Sequence, residues 1–278
     1  MKTNSTKQTL KRLYFGIGFI LLFIFPSLGH SKVLFEGYYK LELGDLHIGY
    51  VIQRFQLDPK TKIMQATYFT RTIIEKESST ESLNAYADEL LKPVSYQYTY
   101  KRTDAKKRIQ IKTIDAKLER GRLLLLTRDG NYKEGKDIPV EKSYLSLKKN
   151  SIFSSFLTYG ILTKGLRIKT SYPYTAIAEE KGEPFSGFAS VVKQIKKKGR
   201  KMFQVSNDYM GSRFKSVMDK RGVIYKFQTD GIRLTGTLVK SRSQAIRGFP
   251  FEKKSIKKLF GYVPTGNGNT LISHHKSN

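Results

Sequence analysis

Short stretches that alternate apolar and polar residues, turns marked by Gly, Asp or Pro between them, and one segment with helical spacing predict a mainly β protein. The expected architecture is a large curved antiparallel sheet, a half-barrel or open barrel, with one central helix. Around a dozen strands joined by short connections favour one curled sheet over a parallel sheet with crossover helices.

The elements follow in order. Leu46, Ile48, Tyr50 and Ile52 alternate with His47, Gly49, Val51 and Gln53, which gives a strand with two distinct faces. Gly44-Asp45 separates it from a hairpin partner over Phe35 to Leu43. Asp58-Pro59-Lys60-Thr61 makes the next turn, because proline presets the backbone angle and aspartate bonds back to the chain, and Lys62 to Glu75 is a third strand. Residues 76–92 are polar and without clear period, so they read as a loop or a single helical excursion through Leu90, with Ser78, Ser79 and Thr80 as caps. Pro93 to Arg102 carries Tyr96, Tyr98 and Tyr100 on one face, and Arg108 to Leu118 alternates again.

Gly121 to Thr127 is a short apolar strand ending at an Asp129-Gly130 turn. Ile152, Phe153, Phe156, Leu157 and Ile161 share one helical face, which makes Asn150 to Ile161 the expected helix. Further strands fall near 166–178, 186–196, 201–209, 212–219, 223–230 and 232–239. From Phe249 on, Lys253, Lys254, Lys257 and Lys258 flank Ile256, Leu259 and Phe260 before a Gly-rich polar end. Residues 249–278 therefore read as a mobile basic tail whose four lysines could rest on an anionic surface.

Lys2, Lys7, Lys11 and Arg12 precede an apolar run from Leu13 to Phe25, and Pro26 to Ser31 supplies a helix breaker and small residues. That is the pattern of a secretory signal peptide over residues 1–29, and the run is too short for a membrane span. The expected product is exported, most simply to a periplasm, with an antiparallel β domain over 30–248. Losing the four basic residues of the leader from the formal +28 leaves about +24, a field that attracts polyanions. Outside the cytoplasm the common polyanions are phospholipid headgroups, lipopolysaccharide phosphates and acidic wall polymers, so an anionic envelope polymer or membrane surface is expected as partner and nucleic acid is not.

There is no cysteine, which removes disulfides, a lipidation thiol, a thiol nucleophile and thiolate metal sites. Of the four histidines, His30 borders the cleavage site, His47 points away from Ile48 and Tyr50, and His274 and His275 lie near the end, so neither metal nor cofactor is expected. Ser146-Leu147-Lys148-Lys149 matches the Ser-x-x-Lys of wall enzymes, but the same pattern starts at Ser190, Ser212, Ser255 and Ser273, about as often as chance allows in so Lys-rich a chain. A carboxylate pair for hydrolysis is set in three dimensions and stays open. Glu179 and Glu180 are adjacent, so in a strand their side chains would point apart.

Three stretches carry a family resemblance. Phe35-Glu36-Gly37-Tyr38-Tyr39 through His47-Ile48-Gly49-Tyr50 looks like an opening hairpin, and Leu91-Lys92-Pro93-Val94-Ser95-Tyr96 like a recurring strand start. Gly199-Arg200-Lys201, Phe203-Gln204-Val205, Tyr209-Met210-Gly211 and Met218-Asp219-Lys220-Arg221-Gly222 follow in the order of a strand-turn-strand ending in an Asp-x-x-Gly turn. Together they resemble exported bacterial β half-barrel proteins of unknown function, similar to lipoprotein-localisation factors and to the β domains beside transglutaminase-like domains. The resemblance implies a curved sheet around a helix with a concave apolar face, and it carries no catalytic residue to this chain.

The expected function is a non-enzymatic binding or envelope-organising protein that holds a lipid, another apolar ligand or a protein partner segment. Tyr50, Ile52, Tyr96, Tyr98, Phe153 and Phe156 are the candidate contacts, each equally at home in a core. The alternative is a cell-wall or lipid hydrolase using Ser146 with Lys149, or a carboxylate pair.

Overall fold

In the computed structural model, residues 31–133, 136–197 and 199–265 are described. The first eight strands form a meander: β1 (Lys32–Leu43), β2 (Leu46–Leu57), β3 (Met64–Ile74), β4 (Glu77–Ala87), β5 (Pro93–Thr103), β6 (Ile109–Glu119), β7 (Arg122–Asn131) and β8 (Glu141–Ser146). A short β9 (Ser151–Phe153), a 3-10 turn (Ser154–Phe156) and helix α1 (Leu157–Lys164) follow. A second meander runs through β10 (Thr170–Ala178), β11 (Glu183–Lys197), β12 (Arg200–Tyr209), β13 (Ser212–Asp219), β14 (Ile224–Thr229) and β15 (Leu234–Val239). Helices α2 (Arg242–Ile246) and α3 (Lys253–Phe260) close the described chain.

All fifteen strands belong to one sheet, in the order β8-β7-β6-β5-β4-β3-β2-β1-β15-β14-β13-β12-β11-β10-β9. Every neighbour is consecutive in the chain except β1 and β15, whose antiparallel pairing from Tyr38↔Val239 to Leu43↔Leu234 welds the two meanders together. Among the described residues the single parallel pair is β9 with β10. Parallel strands need a crossover connection, and the 3-10 turn and α1 supply it.

A twisted sheet of this width curls, because each strand is rotated against the last. The curl shows in packing between strands that are far apart in the sheet order: the Phe153 ring on β9 meets the Tyr96 ring on β5 edge-on, with centroids 5.3 Å apart. Phe156 packs against Phe55 of β2 at 6.2 Å, and Tyr159 of α1 against the same Phe55 at 4.9 Å. The crossover helix therefore lies in the trough, and Phe35, Tyr39, Phe55, Tyr96, Ile114, Leu123, Phe153 and Phe156 form the main core around it.

Aspartates close several hairpins in one way. The Asp88, Asp104 and Asp219 carboxylates each accept the backbone N–H two and four residues on, at 2.8 to 3.1 Å. Asp58 accepts from Lys60 and Thr61. The side chain thus satisfies donors that a tight turn leaves unpaired.

Four expectations are corrected. Residues 76–92 are not a loop or helix: Glu77–Ala87 is strand β4, paired with β3 from Met64↔Ala87 to Ile74↔Glu77. Its inward face carries Glu81, which lines a cavity, and only Leu83, Ala85 and Ala87 as apolar residues, so the apolar alternation is short and small-sided. Asp129-Gly130 is not a turn but part of β7, with Asp129 opposite Lys112. The helix expected over 150–161 starts later, since Ser151–Phe153 pairs with β10 as a strand. Residues 249–265 are not a mobile tail.

Instead, that segment straps the outer face of β1 to β3. Ile256 and Phe260 of α3 are buried with Tyr38, Tyr50, Ile52, Phe69 and Ala245. Ile256, Leu259 and Phe260 stand at helical spacing with four lysines on the opposite side, and Gly261 ends the helix in the left-handed conformation at φ 79°. Residues 1–29, which the sequence reads as a signal peptide, and the stretch 266–278 with His274 and His275 lie outside the described residues.

Candidate functional site

Register places two rows of side chains against the trough. On one wall Tyr39 of β1 stands opposite Val51 of β2, Val51 opposite Thr70 of β3, and Thr70 opposite Glu81 of β4. The next row is Gln53, Tyr68, Leu83 and Tyr98 across β2 to β5. On the other wall Phe227 of β14 stands opposite Ser216 of β13, and Ser216 opposite Val205 of β12. Leu157, Thr158 and Ile161 of α1 complete the enclosure, a cavity of about 520 Å³.

The polar groups converge from three elements. Glu179 and Glu180 sit in the turn after β10, where Gly182, at φ 71°, lets the chain reverse. Glu179 is 1% exposed. One of its oxygens accepts from Ser154 N at 3.1 Å and Ser154 Oγ at 2.5 Å, and the other accepts from Ser155 N at 3.1 Å. It thus anchors the start of the crossover, whose free N–H groups need an acceptor. Burial pushes the Glu179 carboxyl above its ordinary range, and the two serines pull it part of the way back.

Glu180 accepts a hydrogen bond from the Tyr209 hydroxyl at 2.7 Å. Burial raises the Glu81 carboxyl, the Tyr98 hydroxyl offsets part of that rise, and the charge of Glu180 adds to it. On the floor, Gln53 Nε2 donates to the Tyr68 hydroxyl at 2.8 Å and that hydroxyl donates to Ser155 O at 3.1 Å. Burial pushes the phenols of Tyr68, Tyr98 and Tyr209 up, so they stay protonated donors.

The six candidate contacts do not gather here. Only Tyr98 lines the cavity. Tyr50 and Ile52 face the opposite side of β2, under the strap, where the Tyr50 hydroxyl donates to Pro250 O at 3.2 Å. Burial there pushes the Tyr50 phenol up to about 12. Tyr96, Phe153 and Phe156 are core rings. These five are corrected to structural roles, because alternation shows that two sets of residues face opposite ways but not which face is open.

Sequence reasoning missed Glu81 and Tyr209, and it set Glu179 and Glu180 aside as strand neighbours that point apart, whereas they lie in a turn and both line the cavity. The available signal was a strand-length segment with a carboxylate among small polar residues, Glu77 to Ala87, between two segments that clearly alternate. Lys253, Lys254, Lys257 and Lys258 are exposed, but the apolar face of α3 is spent on the sheet, so the helix cannot insert that face into a membrane. His47 bonds Gly49 O at 2.9 Å and packs on the Phe249 ring at 4.6 Å. Ser146 ends edge strand β8, exposed, and does not line the cavity.

A second depression of about 620 Å³ lies between α1, β10 and β11, lined by Leu91, Ile152 and Phe188 among others, with Lys92, Lys149 and Lys164. Its charged groups are solvent-exposed lysines, whereas the trough gathers carboxylates and phenols held by their own hydrogen bonds, so the trough is the stronger candidate.

No protein-family model matches the sequence, and no curated protein matches it. Among solved structures, the fold is similar to a beta-barrel-like protein of a domain of unknown function, DUF1849, from Brucella abortus. The two share 15% identity with a TM-score of 0.53, over 74% of this chain and 96% of that one. That likeness concerns the fold: a β-barrel-like architecture of unknown function.

Proposed function

We propose that this chain is a non-enzymatic binding module whose trough holds an amphiphilic guest, in an exported protein associated with the cell envelope. The observation that carries the reading is the cavity of about 520 Å³ between α1 and the concave face. Its size falls within the roughly 300–1,000 Å³ of small-molecule sites. Val51, Leu83, Val205, Met218 and Ile224 give it apolar walls, while the carboxylates, Gln53 and Asn207 give it orienting groups.

The basic surface supports the envelope half of the proposal. With the apolar face of α3 packed on the sheet, Lys253, Lys254, Lys257 and Lys258 would meet an anionic surface through charge alone.

The test is binding of N-phenyl-1-naphthylamine, a neutral apolar fluorophore, to the purified protein and to Leu83→Trp, which fills the cavity. Saturable enhancement at one equivalent, lost in the filled variant, supports the reading. No enhancement, or the same enhancement in both proteins, overturns it.

A further inference from the structure

We infer that the guest carries a cationic nitrogen, an amine or quaternary ammonium joined to an apolar body, and that Glu81 and Glu180 receive it. This rests on the binding-module reading and specifies its ligand.

The first ground is the sign of the cavity. Three carboxylates line it, and none of its described lining residues is Lys, Arg or His. The chain as a whole has 51 Lys and Arg against 23 Asp and Glu, so an all-acidic lining runs against its composition. General basic bias therefore does not explain the trough.

The second ground is which carboxylates remain available. Both oxygens of Glu179 are occupied by Ser154 and Ser155, which makes it a positioning residue for the crossover. Glu180 takes one donor, from Tyr209, and an ionised carboxylate has about four acceptor sites. Glu81 stands between Thr70 and Tyr100 in the ladder, with no basic side chain opposite it on either strand. Glu81 and Glu180 come near enough for one charge to raise the proton affinity of the other. Two like charges in a half-enclosed space without a counter-ion make a receptor for a cation, which would relieve both the repulsion and the burial cost.

The third ground is the aromatic wall. Tyr39, Tyr98, Tyr209, Phe214 and Phe227 line the same volume, and ring faces attract a desolvated cation.

An anionic amphiphile is therefore disfavoured inside the trough although the outer surface attracts it. Surface charge is largely screened beyond about 8 Å at physiological salt, so the nearby carboxylates set the preference.

The experiment is calorimetric titration, below micellar concentration, with decyltrimethylammonium, 1-decanol and decyl sulfate. The proteins are the wild type, the Glu81→Gln/Glu180→Gln double variant, which keeps side-chain shape, and Leu83→Trp, with far-UV spectra confirming that each is folded. Expected is at least tenfold tighter binding of decyltrimethylammonium than of 1-decanol. That preference falls towards unity in the double variant, and both ligands lose binding in Leu83→Trp. Equal binding of the cation and the alcohol, both lost in Leu83→Trp, would overturn the cation while leaving the binding module in place. Absence of binding by both decyltrimethylammonium and 1-decanol, or binding of these two that Leu83→Trp does not change, would overturn both. Decyl sulfate that binds Leu83→Trp as well as wild type reports the basic exterior, and decyl sulfate bound in the trough more tightly than decyltrimethylammonium contradicts the inference.

Discussion

Arg54 of β2 and Glu36 of β1 form an ion pair of 2.8 Å on the outer face of the sheet, with side chains 3% and 7% exposed. The strap seals it: Arg54 Nη1 donates to Phe260 O at 2.8 Å, and the guanidinium lies 4.2 Å from the Tyr262 ring centre. The Tyr262 hydroxyl donates to Glu36 at 2.9 Å. Removing one partner leaves a buried charge uncompensated, so Arg54→Met or Glu36→Gln alone is expected to cost about 3–5 kcal/mol. The double variant should recover much of that loss in urea unfolding, since it leaves no orphan charge.

The strap belongs to the fold. Ile256→Ala and Phe260→Ala each remove a buried side chain from the cluster with Tyr50 and Ile52, at about 2–5 kcal/mol apiece. Deleting residues 249–278 should therefore lower the unfolding midpoint and expose Tyr38 and Tyr50. A deletion that left the midpoint unchanged would show the contacts to be idle.

Glu179 couples the second meander to the crossover through three accepted hydrogen bonds. Glu179→Ala leaves Ser154 and Ser155 donors unpaired in a partly buried place, at about 1–3 kcal/mol. Because those serines line the trough, the same variant should weaken naphthylamine binding. Unchanged stability and unchanged binding would contradict the anchoring role.

Glu81 carries a pH dependence of known sign. Its carboxyl is raised above the ordinary 4.5 in the folded protein, chiefly by burial, so the folded state holds the proton more tightly than the unfolded chain. Its contribution to stability is full below about pH 4.5 and is lost as the pH rises through the raised value. Glu81→Gln should thus be more stable than wild type at pH 7, with the two converging near pH 4. Denaturant melts at both values check it, and an advantage that grew in acid would have the wrong sign.

Replacing Lys253, Lys254, Lys257 and Lys258 with Gln should weaken binding to phosphatidylglycerol vesicles, by up to about 1 kcal/mol per lysine, with stability little changed. High salt should abolish the difference. A salt-independent difference would mean that apolar insertion, not charge, holds the protein there.

Much of the fold is legible in the sequence wherever large apolar side chains recur at every second residue. Leu46 to Gln53 alternates and is strand β2, and the segments near 201–209, 212–219 and 232–239 match β12, β13 and β15. Legibility failed where a face does something else. Glu77 to Ala87 puts a carboxylate, Glu81, on its inward face beside small apolar residues, and Ser151 to Phe153 is too short to show a period. The site was harder still. Tyr98 and Tyr50 carry the same local pattern, yet one lines the trough and the other lies under Pro250, because the strap that decides this is 200 residues away. Glu180 reaches Tyr209 from the β10–β11 turn across neighbouring strands, and Glu81 enters the same cavity from the other meander, so neither relation has a local sequence signal.

The most direct test uses the absence of tryptophan from the chain, which makes any introduced tryptophan a sole reporter. Phe214→Trp places one in the wall of the trough, and Tyr144→Trp places one on the exposed face of β8. Titration with a brominated ten-carbon alcohol, which quenches only on contact, should give saturable quenching of the first and none of the second. Equal quenching at both sites, or none at either, would contradict a ligand site in the trough.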